Sequence, residues 1–315
     1  MRNPWRSLTS FSFLYYDLAF RNVLIEKAVK VSLDLNNIVV RFEEEDYWIS
    51  LDEISTLIID DPRCNVSLRL LMELCKKGIS VIFTDESHMP VGTLTTLYNH
   101  SRAVKKIEKQ IAWDENGKEF LWTRIVEKKI NSQIDTLKLL NKIDKIEILE
   151  RLLSTVSTGD STNREGIVSR VYFKALFGNQ FKRFSEDIIN FSLNYTYQII
   201  RSKLSQEIVA SGYLPSLGIC HKSEYNFFNL ADDFIEPFRP IVDYFVYDIL
   251  MKSESNYLTP NIKRQLVNIL NQKIMYEGCE YKIHIVIQFY VQNLLNFLET
   301  GDIQKIKFPS LIWII

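Results

Sequence analysis

The sequence predicts an α+β protein, a small N-terminal β-rich domain followed by a larger all-helical one. Three observations predict it. Residues 22–61 carry period-two alternation and β-branched runs, the pattern of half-buried strands. From about residue 100 the apolar spacing lengthens to the helical period and keeps it for nearly all of the remaining chain. The length, 315 residues, is long for one domain and comfortable for two.

The elements follow in order. VKVSLD (29–34) sets Val29, Val31 and Leu33 against Lys30, Ser32 and Asp34. Leu35-Asn36-Asn37 is turn chemistry, and IVVRF (38–42) is the returning strand. DYWISLDEI and TLIID continue the strands. VSLRLLMELCKKG is a helix, with Asn65 as its N-cap and Gly78 as the glycine just past its end. ISVIFTD (79–85) is a fresh apolar strand, so this half finishes as a βαβ-like unit. The boundary falls between Pro90 and Asn99. Helices are expected at 101–113, 117–134, 163–178, 181–211, 229–252, 258–272 and 284–300, with a charged stretch at 135–156. IMYEGCEYKI (274–283) is the exception, a small hairpin turning on Glu277-Gly278.

Apolar residues make up 46 % and charged residues 24 %, the composition of a soluble globular chain. A net charge of −1 excludes a bulk-basic nucleic-acid binder, but a balanced total hides a basic track on one face. Candidate tracks are Arg102 to Lys109, Arg124 to Lys129, Lys182 with Arg183, and Arg201 with Lys203; each alone reads as a solvated helix face. The four cysteines are widely spaced, without CxxC, which fits a reducing cytosol and a cytoplasmic protein. Asp17 interrupts the apolar N-terminal run and no small-residue cleavage site follows, so no signal peptide is expected. No apolar run approaches the ~20 residues of a membrane span, so no membrane partner is expected.

Three stretches carry chemistry. In NLADDFIEPFRP, Asn229 is placed to cap a helix, and Asp232, Glu236, Arg239 and Asp243 fall on one helical face. Leu230, Phe234, Phe238, Ile241 and Phe245 form the apolar face. A solvated polar stripe explains the charges but not Pro237 and Pro240, which remove helix donors at about 3 kcal/mol each in a helix interior. In STNREG, Thr162 and Glu165 fit a capping box, which by itself accounts for the glutamate. Gly166, at once after it, signals close approach of another group. Tyr172 lies at i+7 on the same face. His221 follows PSLG at the start of a loop; a lone histidine is more often a satisfied structural residue than a ligand. Two carboxylates and one imidazole at helix starts and loops are nevertheless a donor set for a hard divalent cation with open positions. That set suits magnesium- or manganese-assisted phosphodiester chemistry better than zinc. The sequence has no G-x-S-x-G elbow, Walker A loop, GxGxxG or Glu-x-x-His pair.

NREG with YFKALFG, NYTY, RSKLSQEIVASGYLPSLGICH and NLADDFIEPFRP together resemble the CRISPR-associated adaptation integrases, the endonuclease-like proteins of spacer acquisition, most of all the type II version. FRNVLI, ISLDEISTLIIDDP and GISVIFTDESHMPVG are similar to that family's β domain, and GDIQKIKFPSL to its C-terminus. The likeness runs from about residue 20 to about 309. It implies an N-terminal extension (1–19), a β-rich dimerisation domain (20–95), a helical catalytic domain (100–309) and a C-terminal tail (310–315). It implies Glu165, His221 and Glu236 as catalytic metal ligands, with Asp232 and Asp233 as supporting acids. Arg239 would hold Glu236 or a phosphate, and Tyr172 would line the pocket. Local charge and position suggest Arg102, Lys105, Lys106 and Arg164 for DNA phosphates. Two departures touch packing: Ile167-Val168-Ser169 stand where small residues are usual, and Phe227 where a proline is usual.

The implied activity is transesterification. The 3′-hydroxyl of a captured double-stranded fragment attacks a phosphodiester at the edge of a CRISPR repeat, with Mg or Mn as cofactor. The implied partners are a second copy of the chain, the small second adaptation protein and, for type II, the RNA-guided effector nuclease. Two other readings remain: a stand-alone structure-specific DNA endonuclease using the same site, and a non-catalytic scaffold for DNA ends.

Overall fold

Alternation along the early strands builds two small sheets. In the computed structural model, which describes residues 21–311 apart from 27, 43–44, 87 and 95–100, the strands are β1 (Arg21–Ile25), β2 (Lys30–Asp34), β3 (Asn37–Arg41), β4 (Asp46–Ser50), β5 (Ile54–Ile59), β6 (Asn65–Val66), β7 (Ser80–Thr84) and β8 (Pro90–Leu94). The predicted extension 1–19 and residues 312–315 of the predicted tail lie outside the described residues. One sheet has the order β1-β5-β7-β8, with β1, β5 and β7 parallel and β8 antiparallel. The other has the order β4-β3-β2-β6. Val31 is fully buried as predicted, but Val29 lies before β2 and is 50 % exposed.

β5 is buried at every position, as expected of a central parallel strand covered on both faces. Leu57 and Ile59 point into a core shared with Val31, Ile38, Leu70 and Leu74. Ile58 and, on β7, Ile82 point the other way and join the helical core. The βαβ unit is completed by α1 (Leu68–Lys76), ended by Gly78 at φ +65°. Its N-cap is Ser67, whose hydroxyl accepts from Leu70 N at 3.3 Å, and not Asn65. Asn65 is already committed to the pairing of β6 with β2.

The helices are α2 (Ala103–Ile111), α3 (Glu115–Leu139), α4 (Ile146–Leu153), α5 (Arg164–Phe177), α6 (Ile188–Ala210), α7 (Asn229–Phe234), α8 (Arg239–Met251), α9 (Pro260–Val267) and α10 (Ile283–Thr300). β9 (Lys273–Tyr276) and β10 (Cys279–Lys282) form the expected hairpin, with Glu277 and Gly278 both at positive φ. Three expectations need correction. The helix expected at 181–211 begins only at Ile188, capped by Asp187. The 229–252 segment is broken into α7, a 3₁₀ turn at Glu236–Phe238 and α8. The first residues of the charged 135–156 stretch extend α3, so that α3 runs 25 residues. α3 and α6 are buried along much of their length and organise the rest.

The sheets and helices are joined by buried polar contacts. Lys263 on α9 donates to Asp60, just after β5, at 2.6 Å, and both side chains are almost wholly enclosed. Gln206 on α6 donates to the Gly78 carbonyl. No helix among the described residues is long and apolar enough to cross a membrane.

Candidate metal centre and its surroundings

Glu165 lies in the first turn of α5, and the local caps release its side chain. The N-cap is Asn163, at φ +50°, rather than Thr162; its carboxamide oxygen accepts from Gly166 N at 3.2 Å. Asp160 accepts from Arg164 N at 2.7 Å and Glu165 N at 3.0 Å. The first-turn donors are therefore served without a capping-box glutamate. The group that approaches Gly166 is this cap: a Cβ there would lie 2.8 Å from Asn163 Oδ1. Glu165 instead receives Ser169 Oγ at 3.1 Å and the ammonium of Lys129 from α3.

Glu236 is delivered by the proline break. Pro237 and Pro240 end α7 and restart the chain as α8, and the 3₁₀ turn packs against α3. The Glu236 carbonyl, left without its helical partner, accepts from Arg239 N–H. The Glu236 side chain is 7 % exposed and meets Lys129 from one side and Arg239 Nε, at 2.9 Å, from the other. Burial raises its proton affinity, but Arg239 and Lys129 outweigh that and hold its pKa at about 2. Burial likewise opposes the charge on Lys129, and Glu236 with Glu165 overcomes it. Glu236 Oε2 contacts the Lys129 ammonium yet receives no aligned hydrogen bond.

The single face predicted for Asp232, Glu236, Arg239 and Asp243 is split by the break. Asp232 turns to Asn226 Nδ2, at 2.7 Å, and to Arg201, at 3.6 Å. Asp243 stays beside Glu236 and Arg239, accepts from the Tyr197 hydroxyl, and is raised by burial to about 6. The Arg239 guanidinium lies 4.7 Å from the Tyr197 ring centre.

His221 is held by Asp233. That wholly buried carboxylate accepts from Ile219 N (2.6 Å), Cys220 N (3.1 Å), His221 N (3.0 Å) and His221 Nδ1 (2.7 Å). Nε2 is thereby the nitrogen left to bind a ligand. The Asp233 hydrogen bond raises the His221 pKa; burial opposes it, and the charges of Asp233 and Glu236 add to the rise. Trp122 on α3 meets the imidazole edge to face at 5.7 Å. Asn229 does not cap α7; its amide clamps the loop through Ser216 O (3.0 Å) and Ser223 O (2.8 Å). At Gly218 a Cβ would meet the His221 carbonyl at 2.4 Å and Asp233 Oδ2 at 2.7 Å, so the loop closes only on glycine.

Glu165, Glu236, Arg239 and Asp243 line a cavity of about 630 Å³. His221 opens on a separate cleft of about 670 Å³. Among the described residues no three His, Cys, Asp or Glu groups converge on a single cation position. Lys129 holds the two glutamates together there. The donor chemistry fits a hard divalent cation: two carboxylates from different elements face one positive charge, and one buried oxygen lacks a hydrogen bond. Tyr172 is fully buried behind the cavity wall, which Phe173 lines instead.

Of the predicted DNA contacts, Arg164 lies beside Glu165, with Nε buried and unpartnered. Arg102 heads α2 and Lys105 is exposed there, away from the cavity. Lys106 is taken up by Glu299 (2.8 Å) and Tyr213 (3.2 Å). The cavity rim carries Arg170, Lys174, Lys182 and Arg183 instead. Arg170 and Lys174 follow Gly166 at four-residue steps, a face that sequence reasoning could have extended from Glu165. Lys129 lies at the end of the Arg124 to Lys129 track, which by charge alone reads as a solvated face. Its signal was phase, because it falls in step with buried Trp122, Val126 and Gln133.

Comparison with known proteins places the chain in a family and its fold beside solved structures. Over 299 residues the chain is 31 % identical to the CRISPR-associated endonuclease Cas1 of Neisseria meningitidis serogroup C (strain 8013), covering 94 % of this chain and 97 % of that one. A Francisella tularensis subsp. novicida (strain U112) protein, CRISPR-associated endonuclease Cas1 1, is 24 % identical, with 86 % and 93 % covered. The fold matches a Cas1 protein from Thermotoga maritima at TM-score 0.74 (18 % identity, 89 % and 97 % covered). It matches a casposase bound to integration product at 0.72 (21 % identity, 90 % and 92 % covered). The profile of the CRISPR associated protein Cas1 family matches residues 23–268, and the chain belongs to that family.

Proposed function

We propose that the protein is the metal-dependent integrase of CRISPR adaptation. It joins the 3′-hydroxyl ends of a captured DNA fragment to the CRISPR repeat by transesterification. One observation carries this reading: two glutamates from separate elements converge on one enclosed positive charge, beside an imidazole fixed by a buried aspartate. Glu165, Glu236 and His221 would hold Mg or Mn. The bound ion supplies Lewis acidity at the scissile phosphate and stabilises charge on the attacking and leaving oxygens. Arg239 keeps Glu236 ionised and oriented, and Asp233 holds the imidazole by Nδ1, which leaves Nε2 for a ligand. Arg170, Lys174, Lys182 and Arg183 take the DNA phosphates along the cavity rim. No nucleotide triphosphate is required, because one phosphodiester replaces another.

The remaining assignments belong to the same proposal. The chain works as a homodimer through residues 20–95, in the cytoplasm. Two such dimers are bridged by a dimer of the small second adaptation protein. In a type II system the effector nuclease helps to choose fragments.

The test is strand transfer. A labelled duplex with free 3′-hydroxyls is mixed with the protein, its small partner and a supercoiled plasmid carrying the repeat, with and without Mg²⁺ or Mn²⁺. Label joined to plasmid only with metal, and lost in Glu165→Ala and His221→Ala, is the expected result. Cleavage without joining would make the protein a nuclease. DNA binding indifferent to metal and to both substitutions would make it a scaffold.

A further inference from the structure

Lys129 is an unusual residue to find at the meeting point of two carboxylates. Its side chain is only 6 % exposed, and its ammonium contacts both Glu165 and Glu236. It projects from the middle of α3, a helix buried along this stretch, so the backbone beneath it is fixed. Arg239 already balances Glu236 from the other side. Glu165 and Glu236 therefore each have a cationic partner already, without a metal.

Resting on the metal-site reading above, we infer that Lys129 is the internal counter-cation of this centre. Its ammonium holds the point between Glu165 and Glu236 that the divalent ion takes, so metal uptake is an exchange that ejects the ammonium. A divalent ion and an ammonium cannot share that point: like charges a few ångströms apart repel strongly in so enclosed a place. The way out is present, because Lys129 itself borders the 630 Å³ cavity, with Gln133 one turn along the same helix. The ejected ammonium enters the space that receives DNA, and a phosphodiester there gives it a new anionic partner. Two properties follow. Lys129 lowers the affinity of the free protein for metal, and it couples metal binding to DNA binding, each strengthening the other. A cation fixed there only as a structural tie predicts the reverse, since its removal would loosen the carboxylates and weaken metal binding.

The measurement is Mn²⁺ affinity by electron paramagnetic resonance titration, with and without a short DNA duplex. It compares the wild type with Lys129→Gln, Lys129→Arg and Glu236→Gln. Lys129→Gln is expected to bind Mn²⁺ about tenfold more tightly than wild type without DNA, while Lys129→Arg, which keeps the charge, stays at or below wild type. DNA should tighten Mn²⁺ binding about fivefold or more in the wild type and have little effect in Lys129→Gln. Thermal melting gives a second readout. Lys129→Gln should melt below wild type in EDTA, where two carboxylates face each other uncompensated, and gain more than wild type on adding Mn²⁺. Equal or weaker Mn²⁺ binding by a folded Lys129→Gln overturns the inference, as does the same behaviour in Lys129→Arg. Mn²⁺ binding unchanged by Glu236→Gln would instead remove the metal-site reading on which it rests.

Discussion

Asp233→Asn tests how the imidazole is held. Asp233 accepts three backbone N–H groups and His221 Nδ1, all within 3.1 Å, from a wholly enclosed position. Each hydrogen bond to a charged acceptor contributes about 1.5–3 kcal/mol. An asparagine keeps one acceptor oxygen and turns an NH₂ group against the donors that met the other. Roughly half of the interaction is lost, and a donor–donor clash is added, so the expected destabilisation is about 3–5 kcal/mol. Urea unfolding should show a lower midpoint at unchanged slope. The same variant should lower the His221 pKa, which the Asp233 hydrogen bond raises against the effect of burial. The sign of the linked pH effect is fixed. A histidine whose folded pKa is raised adds stability that is complete below its ordinary value of about 6.5 and is lost as pH rises through the folded value. That slope should flatten in Asp233→Asn, and histidine NMR titration reads the pKa directly. A loss below about 1 kcal/mol with the His221 pKa unmoved would refute the reasoning, since the loop would then be held by something else.

Asp243→Asn should stabilise the protein near pH 7.5 and have little effect near pH 4. Burial raises the folded pKa from 3.8 to about 6, so the acid's contribution is full below 3.8 and lost as pH rises through about 6. A rise of two units sets an upper limit of about 3 kcal/mol, read from unfolding midpoints across pH. Gly218→Ala should cost about 1–3 kcal/mol by overpacking, because the new methyl meets the His221 carbonyl at 2.4 Å; a cavity-free loop that tolerates it would show no shift in thermal midpoint.

Much of the fold was legible because it is written locally. The two periodicities separated strands from helices, Glu277-Gly278 marked its hairpin, and Gly78 marked the end of α1. Caps are less legible, for a physical reason. Asn65, Thr162 and Asn229 all have capping chemistry, but each has a neighbour that competes. Strand pairing takes Asn65, Asn163 caps α5 in place of Thr162, and two loop carbonyls take Asn229. Sequence shows which residues are able to cap a helix; tertiary contacts decide which one does.

The candidate site divides the same way. The prolines of EPFRP announced a break, and the break is what turns Glu236 inward while sending Asp232 elsewhere. Helical phase alone had put both acids on one face, because phase holds only while the helix is continuous. Lys129 shows the complementary limit. A lysine in step with buried apolar positions is a visible anomaly in one helix, but the charges that make it tolerable come from two other elements. A buried ammonium is stable only if its partners are already in place. Lys129 therefore depends on α5 and on the proline break being correctly folded, and the two carboxylates that those elements deliver face each other across its ammonium. That dependence is why the centre cannot be read one stretch at a time, and why replacing the cation, rather than a carboxylate, is the sharper probe of it.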